Sequence, residues 1–242
     1  SSIMVSFKEY ISESIEDRGI LKAIFIVGIP GAGKSYTSKK ITGSVQPRVI
    51  NTDIATEYLT YKTGTKVNSS NWFAFKDYAH RITKGMLGNY LNGMLPLIID
   101  GTSNDASNIL HRVGILESLG YDIGMVFVDT SLDTAIRRAK ARTERDVDPD
   151  FIEYVYKQAH ENMEFFRGKF KFFEVVKNDE GELNDAVIQK AFTKVTSFYD
   201  SPIANPVGRR LIEEMKEKKM KYLSDVMGKD VINHKIDGWY KS

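Results

Sequence analysis

Glycines stand at the first, fourth and sixth places of Gly28-Ile-Pro-Gly-Ala-Gly-Lys-Ser35, and a lysine and a hydroxyl close the stretch. Chemistry of this kind binds anions. Glycine lets the backbone wrap a phosphate chain where a Cβ would collide, so successive N–H groups converge on the oxygens. The stretch fits G-x-x-x-x-G-K-[ST], and it follows the apolar run 23–27 and precedes the helix-compatible 36–41, the setting that this pattern requires. In it the backbone of Gly28, Gly31, Ala32 and Gly33, with Tyr36 close behind, would cradle the phosphates at the positive end of a helix. Lys34 would reach the β- and γ-phosphates of ATP, and the Ser35 hydroxyl would be a ligand for Mg²⁺.

Two carboxylates and three arginines complete the candidate chemistry. Asp53 and Asp100 both follow short apolar runs, 48–51 and 95–100, which would bring them to one sheet edge. Asp100 ends its run in the manner of a Walker B carboxylate and is a second candidate ligand for Mg²⁺. Asp53 is a candidate proton acceptor for an attacking hydroxyl, and aspartate there also suits a helix cap. Arg138, Arg142 and Arg145 are spaced i, i+4, i+7, one face of a helix if the helix from residue 131 continues through them. A guanidinium fork suits charge spread over transferring phosphoryl oxygens, which makes 142–149 a candidate lid and Arg142 the candidate for neutralising that charge.

Other polar groups carry less. His80, His111, His160 and His234 are too scattered for a metal motif and read as core or surface histidines. Asn233-His-Lys-Ile-Asp237 has one residue too many for a guanine-specificity motif and no strand before it. Trp72, Phe73 and Phe75 could stack on a base, but burial against the sheet is the simpler account of them. The lysines between 209 and 221 are interleaved with Glu213, Glu214 and Glu217, the pattern of a salt-bridged helix surface.

The elements that must position these groups can be read in order. Helical patterns are expected at 6–18, 36–41, 54–62, 71–92, 104–119, 131–142, 150–166 and 184–198. Strands are expected at 23–27, 48–51, 95–100, 122–128 and 169–176, with Gly101 ending the third and 178–181 forming a turn. Alternation of this kind predicts an α/β fold, a P-loop NTPase three-layer sandwich around a mostly parallel sheet. Pro202 and Pro206 divide the chain into a domain over 1–200, a linker over 201–208 and a helical C-terminal extension over 209–242.

Bulk properties narrow the class. The 242 residues carry a net charge of +2 with no cysteine, which excludes disulfides and thiolate metal sites. No apolar run approaches the roughly 20 residues that span a bilayer, and no leader-like segment opens the chain, so the expected compartment is the cytoplasm. The charge is too mild to announce a nucleic-acid binder by itself.

Taken together, the loop, Asn51-Thr-Asp53, Ile98-Ile-Asp-Gly-Thr102 and the 142–149 segment make the chain resemble the P-loop kinases that include bacteriophage polynucleotide 5′-kinase and the zeta toxins. The resemblance spans about residues 23 to 167. It implies that Asp53 is the proton-accepting aspartate, that Asp100 is the second acidic residue and that Arg142 is the lid arginine, with Arg138 and Arg145 beside the nucleotide. The chain departs from the polynucleotide kinases in inserting Gly101 and in carrying Thr56 where they have arginine. Asp100-Gly-Thr-Ser-Asn104 resembles the corresponding zeta toxin block, with Asn104 in the place of its arginine. Phe7-Lys-Glu-Tyr-Ile11 resembles openings of tailed-phage proteins, and host cytoplasm is then the expected location. The function implied is ATP- and Mg²⁺-dependent transfer of a phosphoryl group to a hydroxyl of a nucleic acid or nucleotide, a modified base in phage DNA included. A small-molecule or nucleotide-sugar kinase and an ATP-binding switch are the alternatives. No membrane and no obligate protein partner is implied.

Overall fold

Lys22–Val27 forms β1, and all six of its residues are buried. A strand buried on both faces reads as one apolar run instead of an alternation, because helices cover the sheet on either side. The computed structural model describes residues 18–43, 45–65, 71–101, 104–141, 147–179 and 185–227. Four further strands, β2 (Arg48–Ile50), β3 (Leu97–Gly101), β4 (Asp122–Asp129) and β5 (Phe172–Lys177), complete a sheet in the order β2-β3-β1-β4-β5. Every pairing is parallel.

The order places β1 centrally, with successive crossovers leaving it to either side. Such a reversal opens a crevice at the carboxyl ends of the strands, where ligands bind. Register fixes which residues face each other there: Ile26 lies opposite Asp100, and Val27 lies between Gly101 and Phe127. The core is built from Ile24, Phe25, Ile26, Leu97, Ile98, Met125, Val126 and Phe127 of the central strands, closed by Ile152, Val155 and Phe166 from the helical layer.

The described helices are α1 (Lys34–Ile41), α2 (Thr52–Thr63), α3 (Trp72–Asn92), α4 (Ala106–Ser118), α5 (Leu132–Lys140), α6 (Pro149–Lys169), α7 (Asp185–Asp200) and α8 (Pro206–Met227). Side chains fix several starts. Asp105 accepts from the Asn108 amide, which starts α4 two residues later than the pattern implies. Ser131 caps α5, and Asp148 caps α6 ahead of Pro149.

Three expectations shift. Gly101 ends its strand as the last paired residue of β3, not as a break after Asp100. The sixth helix runs on to Lys169, with Arg167 and Lys169 favoured at its negative end, so β5 begins at Phe172 instead of 169. The last helix starts at Pro206, ahead of 209. The expected helix over 6–18 and the motif at 233–237 lie outside the described residues.

That early start has a cause at the amino edge of the sheet. Lys22 is 2% exposed, and its ammonium donates to Asp122 at 2.7 Å, to the Ser201 hydroxyl at 2.9 Å and to the Pro202 carbonyl at 3.1 Å. The Asp122 carboxylate in turn accepts from the amides of Ala204 at 2.8 Å and Asn205 at 2.7 Å. Asn205 sends its side-chain amide to the carbonyls of Glu117 and Tyr121, and its oxygen accepts from the Val207 amide. Beside it Gly120, at φ 96°, has no room for a Cβ against the Gly208 backbone. Segment 201–208 is therefore bonded along its length to the starts of β1 and β4.

Removing one partner of a buried pair leaves the other charge stranded. Asp122→Ala is expected to lower the unfolding free energy by about 3–5 kcal/mol, read from urea titrations. The double change Lys22→Met with Asp122→Leu is expected to cost far less, and equal losses in both would refute the reading.

Candidate functional site

The loop between β1 and α1 is packed so closely that its glycines are obligatory. A Cβ on Gly28 would come within 2.5 Å of the Val128 carbonyl oxygen, one on Gly31 would strike the Ala135 backbone, and one on Gly33 would strike the Asn178 side chain. Gly31 and Gly33 also hold φ at 85° and 82°, where an L side chain is strained. Ala32 is fully buried, its amide bonded to the Ile29 carbonyl at 3.1 Å. Gly33 is the N-cap of α1, so the amides of its first turn have no partner within the helix and face the crevice end. Lys34 arches back over the loop and donates to the carbonyls of Gly28 at 3.1 Å and Ile29 at 3.3 Å. Ser35 is exposed at the start of α1, and Tyr36 is 55% exposed beneath the Lys40 ammonium.

A strut from the far side of the sheet holds this loop. The Asn178 side-chain amide donates to the Ala32 carbonyl at 2.6 Å, while its backbone amide donates to the Asp129 carbonyl at 2.8 Å. Arg138, on α5, donates to the Asn178 carbonyl at 2.7 Å and so sits next to Gly33. Asp179 follows, accepting from the Thr130 hydroxyl at 2.7 Å and from the Ser131 amide and hydroxyl at 2.9 Å. Burial acts to raise the Asp179 carboxyl, and the hydrogen bonds from Ser131, Thr130 and Thr134 outweigh it, bringing it down to about 2. Sequence reading took 178–181 for a plain turn and missed both roles.

Asp100 is half-buried at the end of β3, beside Ile26, and its carboxylate accepts from the Asn51 side-chain amide at 2.8 Å. Asn51 ends the run through β2 and directly precedes α2, in which Asp53 is the second residue. This brings Asp53 and Asp100 to the same sheet edge as the loop, while the Asp53 side chain lies outside the described set. Asp53 stands inside the first turn of α2, not at its cap position.

The one-face arrangement of arginines does not hold as a continuous helix. α5 ends at Lys140, with the Ala141 amide bonded to the Arg137 carbonyl. Arg142 and Arg145, and with them most of the candidate lid, lie outside the described residues. Phe75 is half-buried on α3, and the side chains of Trp72 and Phe73 are outside the described set. Among the described residues no three His, Asp or Glu side chains gather as a metal cluster, and no helix is long and apolar enough to cross a membrane.

Comparison with known proteins agrees with this geometry. A family described as an AAA domain matches residues 24–166. No curated protein matches the chain significantly in sequence. Among solved structures, the AvrRxo1-ORF1:AvrRxo1-ORF2 complex with sulphate ions superposes with a TM-score of 0.55 at 11% identity, covering 79% of this chain and 71% of that one. The same pair solved with ATP gives 0.54 at 12% identity over the same shares. A structure from the PezAT toxin–antitoxin system of Streptococcus pneumoniae gives 0.50 at 16% identity, covering 88% of this chain and 96% of that one. The fold is P-loop kinase-like, a five-stranded parallel sheet with flanking helices.

Two changes test the strut. Gly33→Ala is expected to destabilise by about 1–3 kcal/mol, the cost of a side chain at positive φ, and to weaken nucleotide affinity in calorimetry; unchanged values in both would show that the loop has slack. Asp179 stabilises the fold fully above about pH 4, where an unfolded aspartate is ionised, and that contribution is lost as pH falls through about 2. Asp179→Asn is therefore expected to melt below wild type at pH 5 to 7 and to converge with it near pH 2.

Proposed function

The chain belongs to the AAA domain family, and from that premise we propose that it is an ATP-dependent phosphotransferase that moves the γ-phosphoryl group to a hydroxyl of a nucleic acid or nucleotide. The observation that carries the reading is the loop at 28–35: three glycines with no room for a Cβ, at a helix start, on the sheet edge that Asp100 reaches one residue before the end of β3. The AvrRxo1-ORF1:AvrRxo1-ORF2 pair, a neighbour in fold, has been solved with ATP, which fits a nucleotide at this edge.

In this reading the loop amides and Lys34 bind the β- and γ-phosphates, Lys34 exchanging its carbonyl partners for phosphate oxygens. The acceptor oxygen attacks the γ-phosphorus, the bond from that phosphorus to the bridging oxygen breaks, and ADP leaves. Asp53 takes the proton of the acceptor hydroxyl. Arg138 and Arg145 lie along the nucleotide, and Arg142 neutralises charge on the transferring group from a lid over 142–149. Ser35 and Asp100 offer a hydroxyl and a carboxylate, hard oxygen donors that suit Mg²⁺, and one or two such protein ligands suffice when phosphates supply the rest. Mg²⁺ bound there would neutralise phosphate charge. Chemistry of this type is mostly positioning and electrostatics, so few side chains need to be special. Residues 1–200 carry the kinase domain, and 209–242 are an extension reached through the bonded segment 201–208.

A second reading, a zeta toxin-type kinase of small molecules or nucleotide sugars, is favoured by the block Asp100-Gly-Thr-Ser-Asn104 and by the fold likeness to the PezAT structure. Incubation with γ-labelled ATP and a panel of 5′-hydroxyl oligonucleotides, modified DNA, nucleosides and amino sugars separates the two by where label appears. Label in free phosphate alone would mean an ATP-binding switch. Asp53→Asn is expected to slow transfer by about 10²–10⁴-fold with ATP affinity nearly intact, whereas Lys34→Ala loses both. Full transfer by Asp53→Asn would reduce Asp53 to a helix residue.

A further inference from the structure

Asn178 directly follows β5 and is 6% exposed. Its polar groups reach three separate parts of the chain. The backbone amide donates to the Asp129 carbonyl at the end of β4 at 2.8 Å. The backbone carbonyl accepts from Arg138 on α5 at 2.7 Å and from the Thr130 hydroxyl at 3.4 Å. The side-chain amide donates to the Ala32 carbonyl at 2.6 Å. The backbone bonds anchor the residue on elements outside the loop, so the side chain acts on the loop from a fixed point.

A peptide group is planar and trans, and its C=O and N–H point in opposite directions. The carbonyl of Ala32 and the amide of Gly33 share one such plane. With the carbonyl held toward Asn178, the Gly33 N–H is aimed away from it, and among the described residues that N–H donates to no protein acceptor. The groups on either side are already fixed: the Ala32 amide bonds to the Ile29 carbonyl at 3.1 Å, and the Gly33 carbonyl accepts from the Thr37 amide at 3.0 Å. Only the plane between them is left to be set. Glycine lets that plane turn over, because a flip carries φ at Gly33 from 82° to the negative side, where every residue is at ease. The turned plane would direct a carbonyl oxygen, not an N–H, away from Asn178.

We propose that Asn178 is a positioning residue that sets this plane, so that the Gly33 amide and not the Ala32 carbonyl meets the phosphate chain of a bound nucleotide. One side-chain hydrogen bond decides whether the loop offers a donor or an acceptor to an anion at this point. The second half of the proposal rests on reading 28–35 as a nucleotide site. The first half, the direction of the plane, rests on the hydrogen bond alone.

The test compares the full wild-type chain with three variants at pH 7. Asn178→Leu keeps the bulk without a donor, Asn178→Ala removes both, and Asp179→Asn weakens the same segment without touching the Ala32 carbonyl. In calorimetry, ATP and inorganic tripolyphosphate, each with Mg²⁺, are expected to bind the two Asn178 variants about 10–100-fold more weakly than wild type, the scale of a hydrogen bond to a charged group. Asp179→Asn is expected to melt earlier with affinity nearly intact, so lost stability and a misdirected amide give different patterns. Crystal structures of the Asn178 variants without nucleotide are expected to show the 32–33 plane turned over. In the wild type, an NMR coupling across the hydrogen bond from the Asn178 side-chain nitrogen to the Ala32 carbonyl carbon is expected, a readout that requires no variant to fold. Absence of that coupling, an unturned plane in the variants, or affinity that falls equally in Asp179→Asn would overturn the proposal. Wild type that binds tripolyphosphate but transfers no label would end the kinase reading and leave this one standing, whereas wild type that binds neither ligand would overturn both.

Discussion

The molecule is governed by a shortage of space at one place, the bend where β1 passes into α1. Three separate parts of the chain crowd that bend with backbone or a fixed side chain: the end of β4 at Val128, α5 at Ala135, and Asn178 beyond β5. Only a chain without Cβ atoms at 28, 31 and 33 can occupy it. The same crowding that excludes side chains leaves a loop of backbone amides, the kind of surface that suits an anion. Parallel pairing then brings Asp100 to the same edge, because Ile26 and Asp100 share a register position.

Distance along the chain separates what could be read from what could not. The loop, the buried runs of β1, β3 and β4 and the alternation of strand with helix are local patterns, and the sheet follows them to within a few residues. Asp100 was legible near the end of its strand for the same reason, while Asp53 lies inside α2, beyond the end of β2 at Ile50. Asn178 was not: its bond to Ala32 spans 146 residues, and a turn containing Asn, Asp and Gly offers no local sign of such a partner. Lys22 reads as the polar flank of an apolar run, because burial of its charge depends on Asp122, 100 residues later. His160 was taken for an ordinary core or surface histidine, since nothing within its helix announces a carboxylate from β4. The arginine spacing misled in the opposite way. It assumed an unbroken helix, and α5 ends at Lys140.

Polar groups divide between the two edges of the sheet according to task. At the carboxyl edge, Asn178, Asp179 and Arg138 bond to backbone and Asn51 bonds to the Asp100 carboxylate, while the first-turn amides of α1 have no partner within the helix. Fixed donors of this kind need no reorganisation when an anion arrives. At the amino edge, Lys22, Asp122 and Asn205 spend their hydrogen bonds on each other and on neighbouring backbone, joining strands to the last helix. One edge is kept receptive and the other is sealed.

That seal bears on how the protein is made. Asp122 leaves the ribosome 83 residues ahead of Asn205, a gap of about 4–17 s at translation rates of 5–20 residues per second. Through that interval β1 and β4 can meet, but the lysine between them lacks the carbonyl, hydroxyl and amides that surround its ion pair in the finished fold. The nascent sheet is thus provisional until the final helix begins to emerge, and a chain stalled before that point would present its amino edge to chaperones.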